Sequence, residues 1–224
     1  MSTLPPSHAV LFDMDGVMID SEPLQLESFN VALRPYGVVV DQQDFVRECV
    51  GRTADENLAF LRARFDLTES VAELANRKHV AYWQLLQSAV KPMPGLLALV
   101  DGLLDEGYVL AIASSSRRDY VDYVLGVLEL GGKFVVTVSG DDVAEGKPDP
   151  AIFLEASRRL GIVPARCVVL EDSKRGVVAA NSAGMRCIAI SGPFGSAQDL
   201  SLAGATVAGL VDILPMLVNL ARLD

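Results

Sequence analysis

Five short, nearly continuous apolar runs punctuate this chain of 224 residues, and each breaks off abruptly. They are Ala9 to Phe12, Val109 to Ala113, Phe134 to Val138, Cys167 to Leu170 and Arg186 to Ile190. Such runs, bounded by turn residues, suit strands buried on both faces. Helical patterns lie between them. Gly95 to Glu106 reads as a helix ended by Gly107, and Arg118 to Leu130 carries Tyr120, Tyr123, Val124 and Val127 at helical spacing. Pro150 to Leu160 follows an Asp149 cap, and Ser173 to Ala183 stops at Gly184, a good residue for a helix C-terminus. Alternating strand and helix predicts an α/β fold: a Rossmann-like parallel-sheet core with right-handed crossovers.

The interval between the first two runs breaks this rhythm. Residues 19 to 91 are far too many for one crossover and contain only amphipathic helical segments. Asp20-Ser21-Glu22-Pro23 opens one helix, with the proline in its first turn. Thr53-Ala-Asp-Glu56 is a capping box ahead of Leu58, Leu61 and Phe65. Thr68 to Ser88 forms a longer helix striped by Val71, Leu74, Ala75, Tyr82, Leu85 and Leu86, and Lys91-Pro-Met-Pro94 reads as the return linker. The predicted organisation is a core of residues 1–18 and 92–224 and an inserted all-helical cap domain, residues 19–91, over the carboxyl edge of the sheet.

A chain of this length buries about 70% of its unfolded surface, ample for a core without disulfide or zinc staples. With 19 basic and 29 acidic side chains the net charge is 19 − 29 = −10. That balance argues against nucleic acid as a partner and against a polybasic membrane-surface protein. No apolar run approaches the roughly 18 residues of a spanning helix. Residues 1–8 carry neither a basic region nor a long apolar segment, so no secretory signal is expected. Cys49, Cys167 and Cys187 are odd in number with no C-x-x-C spacing, which fits reduced cysteines in a cytoplasmic protein. The oligomeric state stays open, a monomer being compatible.

In open parallel sheets, ligands bind beyond the carboxyl ends of the strands. The first strand delivers Asp13 and Asp15 there, the second Ser114, Ser115 and Ser116, and the fourth Glu171 and Asp172, while Gly146-Lys147-Pro148 follows the third. Two carboxylates about 5 Å apart repel by roughly 3 kcal/mol at an effective dielectric of about 20, so such a cluster needs protons or a cation. Oxygen ligands select a hard cation, and a few carboxylates with waters and a substrate phosphate suit Mg²⁺. An EF-hand loop fails as an alternative, because Asp13-x-Asp15-Gly16 lacks the further acidic positions and closing glutamate. Phosphoryl transfer requires a nucleophile, an acid for the leaving group, and donors for the phosphoryl oxygens. Asp13 on its strand tip suits the nucleophile and Asp15 the acid and base. Ser114 with Ser115 and Lys147 suit the phosphoryl oxygens, with Asp13 and Asp172 on the metal. Ser116 with Asp119 reads as the cap of the next helix, which leaves Ser114 free.

Phe12-Asp-Met-Asp-Gly-Val17, Ala113-Ser114, Gly146-Lys-Pro-Asp-Pro150 and Leu170-Glu-Asp-Ser173 resemble, in order and spacing, the four motifs of the haloacid dehalogenase-like (HAD) superfamily. The inserted helices resemble the alpha-helical cap of the branch that holds beta-phosphoglucomutase and phosphoglycolate phosphatase-like enzymes. The resemblance implies a nucleophilic Asp13, an acid–base Asp15, and Mg²⁺ held by Asp13, the Asp15 carbonyl and Asp172, with Glu171 near the metal. Asp15 and Asp172 speak against a dehalogenase, which needs neither. In the cap, Lys78 falls on an apolar stripe, so it either snorkels or faces a polar site, and Arg77-Lys78 resembles a substrate-binding segment of the mutase. Arg52 precedes a capped helix, where an anion or plain solvent suits it equally. Gln25 stands where the mutase pattern has a histidine and Ala54 where it has an arginine. A mutase must hold a second phosphate and exclude water, so both departures favour a hydrolase. The substrate-facing candidates in the cap are Gln25, Arg52 and Lys78. His8 and His79 are not expected to be catalytic. The expected activity is Mg²⁺-dependent hydrolysis of a small phosphorylated metabolite, such as a sugar phosphate, through an aspartyl-phosphate. A phosphosugar mutase is the alternative.

Overall fold

The computed structural model of the chain describes residues 8–50, 52–192 and 198–221. Residues 1–7, read above for a leader, lie outside them, as does Gly51. The chain forms two compact units, Met1–Ile19 with Pro92–Asp224, and Asp20–Lys91. Ile19 goes with the sheet: it is fully buried and bridges both Asp15 and Pro92.

The first unit is built on a parallel sheet of strands β1 (Ala9–Phe12), β2 (Val109–Ala113), β3 (Val136–Val138), β4 (Cys167–Glu171), β5 (Arg186–Ile190) and β6 (Ala205–Val207). Their order is β3-β2-β1-β4-β5-β6, so the all-apolar β1 lies between β2 and β4. Side chains alternate across a strand. Ala9, Leu11, Ala111, Ala113 and Val169 therefore share one face, packed with Ile152, Phe153 and Ala156 of helix α7 (Ala151–Leu160) and Val177 and Ala180 of helix α8 (Lys174–Ser182). Phe12 points the other way and meets Phe134 edge-on at 5.4 Å. Helix α5 (Leu96–Asp105) packs on β2 and on α9 (Ile213–Ala221), so closely that a Cβ on Gly102 would come within 2.5 Å of Leu214.

Several element bounds are narrower than the sequence suggests, for local reasons. Helix α6 spans only Arg118–Val127, because Glu129 turns to φ 56° and the Leu130 amide returns to Leu125. Val127 is correspondingly solvent-exposed rather than part of the buried stripe. Only Val136–Val138 of the Phe134 to Val138 run forms strand, although the Val135 amide already donates to Leu110 O at 2.9 Å. Strand β6, three residues with a threonine in the middle, is too short to show a pattern.

The second unit carries helices α1 (Glu22–Leu33), α2 (Gln42–Glu48), α3 (Ala54–Arg64) and α4 (Val71–Ala89) joined by loops, with no strand among its described residues. Complete capping boxes start α3 (Thr53 with Glu56) and α4 (Ser70 with Glu73), which is why α4 begins after Ser70 and not at Thr68. Phe29, Leu33, Phe45, Leu58, Leu61 and Leu74 form its core. The Asn30 amide clasps Val40, accepting from its N–H at 2.8 Å and donating to its carbonyl at 3.0 Å. Among the described residues no helix is long and apolar enough to cross a membrane.

Candidate active site

The sheet ladder runs one residue past β1: the Asp13 amide donates to Leu170 O at 3.0 Å, which presents the Asp13 side chain beside the end of β4. The chain then turns sharply. Met18 and Ile19 both donate back to Met14 O, and Gly16, at φ 72°, donates to Ile19 O. Gly16 is needed twice over, since a Cβ there would stand 1.9 Å from Asp172 Oδ2. β1's turn and β4's tip are thus pressed together.

Lys147 joins the cluster from the loop before α7. Its ammonium donates to Asp13 Oδ1 and to Glu171 Oε1, each at 2.6 Å, and lies 4.9 Å from the centre of the Phe153 ring. Arg175 Nε donates to the Lys147 carbonyl at 3.0 Å and steadies that loop. The second oxygen of Glu171 accepts from the Asp172 and Ser173 amides and the Ser173 hydroxyl, each at 2.9 Å. Glu171 fits so tightly against α8 that a Cβ on Gly176 would lie 1.8 Å from its Oε1. Ser173, not Asp172, caps α8 by accepting from the Gly176 amide at 3.0 Å.

The electrostatics follow from burial and from this company. Burial pushes the Asp13 carboxyl up to about 7; Lys147 opposes the rise, and Glu171 and Asp15 add to it. Burial disfavours the Lys147 charge, yet Asp13 and Glu171 outweigh it and hold the ammonium above its usual range.

Residues 10–190 match the family model of haloacid dehalogenase-like hydrolases. The chain belongs to that family. This hydrolase is 36% identical over 180 residues to the phosphorylated carbohydrates phosphatase of Thermotoga maritima, covering 80% of this chain and 83% of that one. It is 29% identical over 194 residues to hexitol phosphatase B of Escherichia coli K12, covering 86% and 87%. Among solved structures, CbbY from Rhodobacter sphaeroides in complex with phosphate superposes with a TM-score of 0.77 at 26% identity, over 92% of this chain and 96% of that one.

The acidic edge of this hydrolase suits a divalent cation. Asp13, Glu171 and Asp172 each offer a carboxylate oxygen, all within 4.8 Å of one another. With all three carboxylates ionised, the Lys147 ammonium leaves a net charge of −2 uncompensated among these four groups, and oxygen donors are what a hard cation selects. A cation there also counters the burial that pulls Asp13 toward its neutral form.

Asp13, Lys147, Glu171 and Asp172 are therefore brought to one place, and Ser116 ties Asp15 to the β2 loop. Ser114 is buried, its amide bonded to Val138 O at 3.0 Å, while Ser115 is exposed on the same loop. In the helical unit Gln25 and Lys78 meet: the ammonium donates to Gln25 Oε1 at 2.5 Å and lies 4.9 and 5.0 Å from the Phe29 and Tyr82 ring centres. Lys78 is buried and does not snorkel. Arg52 is exposed, with its guanidinium over Phe60 at 5.1 Å. One reading is corrected. Ser116 does not cap α6, whose N-cap is Arg117 without a side-chain cap; Asp119 instead pairs with Arg117 at 3.1 Å. The Ser116 hydroxyl donates to Asp15 Oδ2 at 2.6 Å. Arg175, whose guanidinium supports the Lys147 loop, carried no sequence signal.

Proposed function

We propose that this phosphoric monoester hydrolase releases phosphate from a small phosphorylated metabolite of the carbohydrate kind, through an aspartyl-phosphate on Asp13. The observation that carries the reading is the junction of Asp13, Lys147, Glu171 and Asp172, drawn from three separate stretches of chain. Asp13 attacks phosphorus while Asp15 protonates the departing ester oxygen; Asp15 then takes a proton from the water that hydrolyses the acyl phosphate. Ser114, Ser115 and Lys147 hold the phosphoryl oxygens, the hydroxyls as donors and the ammonium as a point charge. Asp13, the Asp15 carbonyl and Asp172, with Glu171 behind them, would hold Mg²⁺, which supplies positive charge to the phosphoryl oxygens when bound. Gln25 and Lys78, already paired, read the polar groups of the substrate, with Arg52 as a further cation.

The relatives that act on phosphorylated carbohydrates and hexitols support this substrate class. A phosphate-release screen across phosphorylated metabolites, with Mg²⁺ and with EDTA, tests it. Release from sugar or polyol monophosphates that EDTA abolishes is the expected outcome. Conversion of a sugar 1-phosphate to its 6-phosphate without free phosphate would overturn hydrolysis in favour of a mutase.

A further inference from the structure

We propose that Ser116 is a positioning residue for the acid–base step: its hydroxyl anchors Asp15 through Oδ2 and so fixes where that carboxyl gives and takes its proton. The inference rests on the acid–base assignment of Asp15 made above. Ser116 Oγ lies 2.6 Å from Asp15 Oδ2, across 101 positions of chain, a length expected of a hydroxyl donating to a carboxylate. The serine itself is held at both ends of its peptide. Its amide donates to Ser114 Oγ at 3.1 Å, and its carbonyl accepts from the Gly140 amide at 2.8 Å. Gly140 approaches so closely that a Cβ would stand 2.4 Å from the Ser115 carbonyl oxygen. The hydroxyl therefore has little freedom, and α6 makes no use of it, because Arg117 occupies the N-cap.

The chemistry follows from this geometry. A donor on one carboxyl oxygen holds the Asp15 side chain in place, and with it the direction of proton transfer. In the first half-reaction the bond from Asp13 to phosphorus forms and the ester P–O bond breaks, while the proton on Asp15 passes to the departing oxygen. In the second, a water O–H bond breaks toward Asp15, the water oxygen bonds to phosphorus, and the Asp13–phosphorus bond breaks. Ser116 keeps its proton throughout. The same loop prepares Ser114: with the Ser116 amide on a lone pair of Ser114 Oγ, the Ser114 proton is left to donate to a phosphoryl oxygen.

The test compares two esters of the same shape. The nitrophenolate of p-nitrophenyl phosphate leaves readily without a proton; the phenolate of phenyl phosphate needs one far more. Ser116→Ala is expected to lower kcat/KM for phenyl phosphate at least about fivefold more than for p-nitrophenyl phosphate, inside the roughly 10²–10⁴-fold worth of a positioned acid. Ser116→Thr restores most of the loss. Ser116→Cys, similar in size but a weak donor, gives the same contrast if the alanine variant does not fold. Added to Asp15→Asn, Ser116→Ala costs less than about threefold more, since the group it positions is gone. Equal losses on both esters, or a full further loss in the double variant, overturn the role of Ser116 and leave the phosphatase reading standing. Where the wild type takes only sugar or polyol monophosphates, the comparison of single and double variants is read on those; wild-type enzyme that releases phosphate from no phosphomonoester overturns that reading itself, and this role with it.

Discussion

Asp13 combines two demands that conflict at the scale of a single residue. The proposed nucleophilic role needs an ionised carboxylate, yet burial drives this carboxyl up to about 7; Lys147 favours its charge, as would a cation bound beside Asp172. Asp13→Asn keeps the shape and removes the proposed nucleophile: it should melt within a few degrees of wild type while phosphate release falls about a thousandfold or more. Activity within tenfold of wild type would remove Asp13 from that role. Gly176 offers a test whose sign is informative. Alanine for glycine inside a helix ordinarily stabilises by about 1 kcal/mol. Here the new Cβ would stand 1.8 Å from Glu171 Oε1, so Glu171 must move and release Lys147. Gly176→Ala should instead destabilise by about 1–3 kcal/mol, read from the urea midpoint, and lower activity with it. A more stable variant would show that Glu171 is not held as described.

At the scale of elements, the tip of β3 is tied to two helices by one carboxylate. Asp142 is partly desolvated, which alone would raise its carboxyl; the Ser139 hydroxyl and amide, each at 2.7 Å, then Arg159 at 3.1 Å and Arg118, hold it well below the ordinary range. A carboxyl depressed in the folded state stabilises above its unfolded pKa, near 3.9, and that contribution disappears as the pH falls through the folded value. Stability should therefore drop with acid below about pH 4, and the drop should be shallower in Asp142→Asn when denaturant midpoints are compared across that range. Elements also show where sequence patterns sufficed. The box at Thr53 is written within four residues and appears as a helix start; the box at Ser70 is equally local, though the apolar stripe by itself points to a start at Thr68. Ser116 with Asp119 carried the same local signature and failed, because Arg117 claims Asp119 and Asp15 claims Ser116.

For the molecule as a whole, a net charge of −10 opposes an anionic substrate at distance, so capture depends on short-range charge at the sheet edge. The convergence of Asp13, Glu171 and Asp172 lets thermal stability test the proposed metal site. A ligand at ten times its Kd stabilises by about 1.4 kcal/mol, so millimolar Mg²⁺ should raise Tm by a few degrees, reversibly with EDTA. Asp172→Asn should blunt the rise, and a wild-type melt that ignores Mg²⁺ would count against the metal site.

Sequence alone determined strands β1 to β5, the parallel sheet and the identity of the residues at its carboxyl edge, while the short β6 showed no pattern. Those depend on period, caps and turn residues, which act over a few positions. Only the tertiary structure decided the order β3-β2-β1-β4-β5-β6 and which edge residues touch. Asp15 meets Ser116 across 101 positions, Lys78 meets Gln25 across 53, and Lys147 meets both Asp13 and Glu171. Such partners are chosen by how buried polar groups find satisfaction once the core has closed, and no local pattern carries that information.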